Sequence, residues 1–176
     1  MKKILLLLVM MLMVANAAFA MVGVVEQQTI KGVNCGMSWD EALSKWGQPT
    51  KIEKSMIASG TYVYYPGGLY AYVKPNKEKV MYMDEITVEN NPQIVLLPSG
   101  VANGMCREEV FNRLGKPEKE TSSYDDKGLC VRWYYTMPRY KDFAGRSITQ
   151  ELSILFCVDD RKPNYDQVIS ISMEGY

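Results

Sequence analysis

The chain has 176 residues, with 20 Lys and Arg against 20 Asp and Glu, four cysteines and no histidine. The balanced charge lacks the basic excess that neutralises phosphates, which argues against nucleic-acid binding. The missing histidine removes the commonest general base, the Ser-His and Cys-His nucleophile pairs and histidine-ligated metals. The length fits one domain, or two small ones sharing a core.

Residues 1–20, MKKILLLLVMMLMVANAAFA, open with Lys2 and Lys3, continue through the apolar run Ile4 to Val14 and end in Ala18-Phe19-Ala20. This is the pattern of a secretory signal peptide, too short in its apolar part for a bilayer span. No cysteine follows the apolar run, so no lipid anchor is expected. The expected product is exported, periplasmic or secreted, and has no membrane span once the signal is removed.

Next comes GMSWDEALSKWGQP, Gly36 to Pro49. Ser38 and Glu41 have the spacing of a capping box, and Asp40 and Glu41 suit the positive end of a helix dipole. Ala42, Leu43 and Trp46 make an apolar stripe, and Gly47 and Pro49 end the helix. Strand-like runs follow near 51–57, 61–66, 69–74 and 79–89, with turns at Pro66-Gly67-Gly68 and Pro75-Asn76-Lys77. The chain then repeats itself in GMCREEVFNRLGKP, Gly104 to Pro117, with Cys106 in the place of Ser38. Val110, Phe111 and Leu114 form the second stripe. Runs near 118–124, 128–136, 148–158 and 165–174 follow. A helix this short is unstable alone and needs a surface to cover. The expected fold class is therefore α+β: two tandem modules, 21–91 and 92–176, each a short helix followed by an antiparallel four-stranded meander. Together they would form one curved sheet with the helices on one face.

The doubled motif, G-M-S/C, an acidic first turn, an apolar stripe and W/L-G-x-P before aromatic strands, resembles the SmpA/OmlA (BamE-like) lipoproteins and the β-lactamase-inhibitor-protein (BLIP) fold. The match covers roughly 30–90 and 98–174. The resemblance implies an open sheet face that binds another protein. In the first family that role is outer-membrane assembly and in the second it is inhibition of a hydrolase.

Period-two alternation assigns the faces. Leu129, Val131, Trp133 and Tyr135, with Ile148, Leu152, Ile154, Phe156 and Val158, should face the helices. Cys130, Arg132 and Tyr134, with Glu151, Ser153, Leu155 and Cys157, should face the other way. An exported chain with an even cysteine count suggests disulfides. Cys130–Cys157 is the first choice, because a hairpin over these strands with a loop near 137–147 sets them nearly opposite one another. Cys35 and Cys106 remain by elimination. Tyr62, Tyr64, Tyr70 and Tyr72 alternate with apolar residues and should line the open face, where tyrosine suits an interface. The same alternation suits cross-strand stabilisation. Asp125-Asp126 and Asp159-Asp160 read as turn residues. No cofactor, metal or catalysis is expected. The expected function is a non-catalytic module that binds another protein through its open face, with envelope assembly and hydrolase inhibition as alternatives.

Overall fold

The structure is a computed structural model that describes residues 23–125, 127–142 and 144–176. The signal-peptide reading of residues 1–20 lies outside them. The strands are β1 (Thr29–Ile30), β2 (Lys51–Lys54), β3 (Thr61–Tyr65), β4 (Leu69–Pro75), β5 (Met81–Glu89), β6 (Leu96–Leu97), β7 (Lys119–Asp125), β8 (Gly128–Lys141), β9 (Ser147–Cys157) and β10 (Gln167–Gly175). The helices are α1 (Trp39–Trp46) and α2 (Arg107–Leu114).

The expectation of two α+β modules, each with a helix and its own four-stranded meander, is corrected here. Among the described residues strands dominate, and helix is confined to two eight-residue segments. The eight longer strands form one antiparallel sheet in the order β2-β3-β4-β5-β10-β9-β8-β7, and β1 pairs with β6 in a small second sheet. The join between β5 and β10 is a full ladder, from Ser170 opposite Glu89 to Glu174 opposite Glu85. One hydrophobic core runs across that join, from Val63 and Ala71 to Ile154 and Phe156. The physical reason is that the helices are too small to roof separate cores. Ala42 is the only fully buried residue of α1, and Val110 the only one of α2. The cover is completed by the segments before each helix, including the small β1–β6 sheet: Val25, Ile30, Val33 and Met37 before α1, and Ile94, Leu96 and Val101 before α2.

Phe111 departs from the expected stripe of α2. It is exposed, because it follows Val110 by one position and so points about 100° away. One strand also runs further than the alternation suggests. β8 continues past Met137 through a register shift to Lys141. The turn that follows is held by Asp142, whose Oδ1 accepts from the backbone of Ala144 and Arg146.

The repeated motif survives as local anchors. Gly36 N–H donates to Met83 O and Gly104 N–H to Val168 O, which fixes each pre-helix segment to a strand. In α1 the Glu41 N–H donates to Ser38 Oγ at 3.3 Å. In α2 the other half of the box is kept: Cys106 N–H donates to Glu109 Oε2 at 2.9 Å. Each helix ends on a left-handed glycine, Gly47 or Gly115. A buried tyrosine hydroxyl then donates to that glycine's carbonyl: Tyr65 to Gly47 O at 3.3 Å and Tyr135 to Gly115 O at 3.1 Å.

Candidate functional site: the open face of the sheet

The helices and irregular segments cover one face of the sheet. The side chains of the other face fall in lanes that run across the strands. One lane passes from Lys51 through Tyr64, Tyr70, Thr87, Ser172, Ser153 and Tyr134 to Lys119, touching all eight strands. Its ends are aromatic and basic. Lys51 Nζ lies 5.4 Å from the Tyr64 ring centre and Lys119 Nζ 5.3 Å from that of Tyr134, both within cation–π range. Its centre is small and polar, with a 2.8 Å hydrogen bond between the Thr87 and Ser172 hydroxyls.

The neighbouring lane runs from Glu53 through Tyr62, Tyr72, Glu85, Glu174 and Glu151 to Thr136. Three carboxylates thus stand directly opposite one another on β5, β10 and β9, an arrangement that opposes folding. Burial, and then the charge of Glu174, pushes the Glu151 carboxyl up. Burial does the same for Glu85, reinforced by Glu174 and Asp84 and partly offset by the Thr87 hydroxyl and Arg132. Thr87 Oγ1 donates to Glu85 Oε1 at 3.0 Å, and Arg132 Nη1 to Ser153 Oγ at 3.0 Å. At the outer strand, Lys51 pairs with Glu53 at 2.6 Å and holds its carboxyl below the usual range.

All six residues expected on the binding face, Tyr62, Tyr64, Tyr70, Tyr72, Arg132 and Tyr134, lie in these lanes or the next one and are partly exposed. The tyrosines pair across β3 and β4: Tyr62 and Tyr72 ring centres are 4.9 Å apart, Tyr64 and Tyr70 5.9 Å. Tyr72 does more than stack. Its hydroxyl accepts from Gly60 N–H at 2.9 Å and so ties down the turn between β2 and β3. That turn presents Met56 and Ile57 wholly to solvent, with Ser55 Oγ accepting from Ile57 and Ala58 N–H behind them. A depression of about 430 Å³ separates this tip from Tyr62.

Glu151 and Ser153 are expected on this face from the alternation of β9, but the rest of the carboxylate row and the central hydroxyls are not among the expected residues. Period-two reading of MYMDEITVE and QVISISMEG would have placed Glu85, Thr87, Ser172 and Glu174 on this face. Met56 and Ile57 look like ordinary strand residues until the turn is seen.

The cysteines fall in two groups. Cys130 and Cys157 are direct partners in the β8–β9 register and are wholly buried, in a small cluster with Leu155 and Ile169 apart from the main core. Cys35 and Cys106 are not brought together. Cys35 is buried under the end of β10, its thiol donating to Met173 O at 3.2 Å. Cys106 caps α2 opposite Gln167, at the start of the same strand. Six positions of strand separate those contacts, roughly 20 Å. All four are thiols in this structure. Asp159 is a turn residue: its Oδ1 accepts from Arg161 N–H, and the Arg161 guanidinium holds its carboxyl at about 2.

Among the described residues, no group of three or more His, Cys, Asp or Glu is arranged to hold a metal ion. No helix there is long and apolar enough to cross a membrane.

No family model matches the chain, and no curated protein matches it. Among solved structures it is similar to a DUF4309 family protein, YjgB, from Bacillus subtilis subsp. subtilis str. 168. The two are 12% identical over 79% of this chain and 78% of that one, with a TM-score of 0.43.

Proposed function

We propose that this chain is an exported, non-catalytic module that binds another protein on the open face of its eight-stranded sheet. The observation that carries the reading is the lane from Lys51 to Lys119, which presents tyrosines and lysines to solvent at both ends, while the hydroxyls of Thr87 and Ser172 at its centre are buried and bonded to one another. Tyrosines held in a sheet give large contact area with little further entropy to lose on binding. The Met56–Ile57 tip extends this surface at one corner, held in place through Tyr72. The motif resemblance to the SmpA/OmlA and BLIP-like families points the same way.

The test is affinity capture from the producing cell's envelope and medium. Residues 21–176 serve as bait beside a Tyr64→Ala/Tyr72→Ala/Tyr134→Ala control with an unchanged circular dichroism spectrum. A captured protein would then be purified and titrated against both by calorimetry. The expected result is saturable binding to the bait and at least a tenfold weaker affinity for the control. Equal binding by both would remove the open face from the interaction.

A further inference from the structure

We propose that Cys130 and Cys157 close a disulfide across β8 and β9 when the protein folds in an oxidising compartment, while Cys35 and Cys106 stay as thiols. The inference is independent of the binding reading and rests on ladder geometry. Antiparallel partners alternate between hydrogen-bonded pairs and closer, non-hydrogen-bonded ones. Val158 N–H donates to Leu129 O at 2.9 Å, a bond that flanks the Cys130–Cys157 pair and marks it as the close kind. Such partners have Cα atoms about 4.5 Å apart, within the span a disulfide bridges. Both side chains leave the same face of the sheet and are buried in one apolar cluster. Lys127 reaches from the start of β8 past two intervening strands to Glu89 at 3.1 Å, at this same end of the sheet.

The other two cysteines lack these conditions. The roughly 20 Å of strand between their contacts on β10 is beyond any disulfide. Burial, and then the charges of Asp84 and Glu85, pushes the Cys35 thiol up, away from the reactive thiolate.

The chemistry is exchange with an external disulfide such as glutathione disulfide. One cysteine thiolate attacks it, forming a mixed disulfide and releasing one glutathione thiolate. The second cysteine thiolate then attacks the protein sulfur and releases the other glutathione. Two protein thiols are oxidised, one external disulfide is reduced, and the two protons end on the released thiols. Because both sulfurs are buried, the exchange takes place before β8 and β9 have closed over them.

The test refolds denatured, reduced protein with glutathione disulfide, then alkylates it without reduction and counts adducts by intact mass. Native oxidised protein should take one adduct, at the partly exposed Cys106. Denatured oxidised protein should take two, and four after reduction. Peptide mapping should find Cys130 joined to Cys157. Cys157→Ala should take three adducts in denaturant, one of them on Cys130. Four adducts without reduction, or a crosslink that includes Cys35 or Cys106, would overturn the assignment. Closing a loop of about 27 residues should lower the unfolded population by a few hundred-fold relative to the reduced protein, read by urea unfolding. Equal stability of the two forms would remove the stapling role.

Discussion

The two faces of the sheet use the same strands and obey opposite rules. On the covered face, Phe156, Tyr135, Leu152 and Met173 are wholly buried and share one core. On the open face, Tyr134 and Glu151 are partly exposed, carboxylates are set against carboxylates, and buried apolar packing is limited to a small cluster of Cys130, Leu155, Cys157 and Ile169. A sheet needing only stability would not place Glu85, Glu174 and Glu151 in one row. The difference teaches that the covered face carries the fold, while the open face is arranged around something other than folding.

The largest test of that division truncates one ring on each side. Phe156 is fully buried and packs edge-on against Trp133, ring centres 4.8 Å apart. Phe156→Ala should cost about 3–5 kcal/mol, the range for emptying a buried aromatic site. Tyr62→Ala, on the open face, should cost no more than about 1 kcal/mol, the worth of one cross-strand pair. Urea unfolding of both variants measures the contrast. Similar losses would mean that the open face is structural.

The covered face was largely legible in the sequence, for a clear reason. Burial imposes strict alternation, so LYAYV and LSILF announce their inward side by themselves. The β8–β9 pairing was legible in part: alternation puts Cys130 and Cys157 on one face and a hairpin brings them nearly opposite, while the extension of β8 to Lys141 through a register shift was not. The single continuous sheet was not. Whether two runs of strands stay apart depends on how much each helix covers, and eight-residue helices burying one residue apiece cannot close two cores. The lanes of the open face were only half legible. Tyrosines signal themselves by type, but the carboxylate row exists only once β5 lies beside β10, and local periodicity cannot supply that pairing.

A finer test compares the two helix ends. Tyr135 is fully buried and donates to Gly115 O at 3.1 Å, while Tyr65 is slightly more exposed and donates to Gly47 O at 3.3 Å. Tyr135→Phe should cost about 1–2 kcal/mol, because it leaves a part-buried carbonyl without its partner. Tyr65→Phe should cost less, since water reaches that site more readily. Thermal unfolding of the pair gives the order. The reverse order would show that α1, with its Trp46–Tyr65 edge contact at 5.2 Å, is the more firmly seated helix.

The smallest effect is the most direct probe of the open face. The Glu85 carboxyl is raised above the ordinary glutamate value of 4.5, so the folded protein holds that proton more tightly than the unfolded chain does. Ionised Glu85 therefore opposes folding above its raised value, and the penalty disappears as pH falls through it toward 4.5. Glu85→Gln keeps an oxygen for the Thr87 hydroxyl and removes the charge. The variant should be slightly more stable than the wild type at neutral pH, and the two should converge as the solution is acidified. Urea unfolding at a series of pH values reads the difference, because carboxylates remote from Glu85 contribute equally in both proteins. A variant less stable at neutral pH would mean that attraction to Arg132 outweighs burial and the repulsion from Glu174 and Asp84. The carboxylate row would then be part of what holds the sheet together, and the contrast between the two faces would narrow to the tyrosines alone.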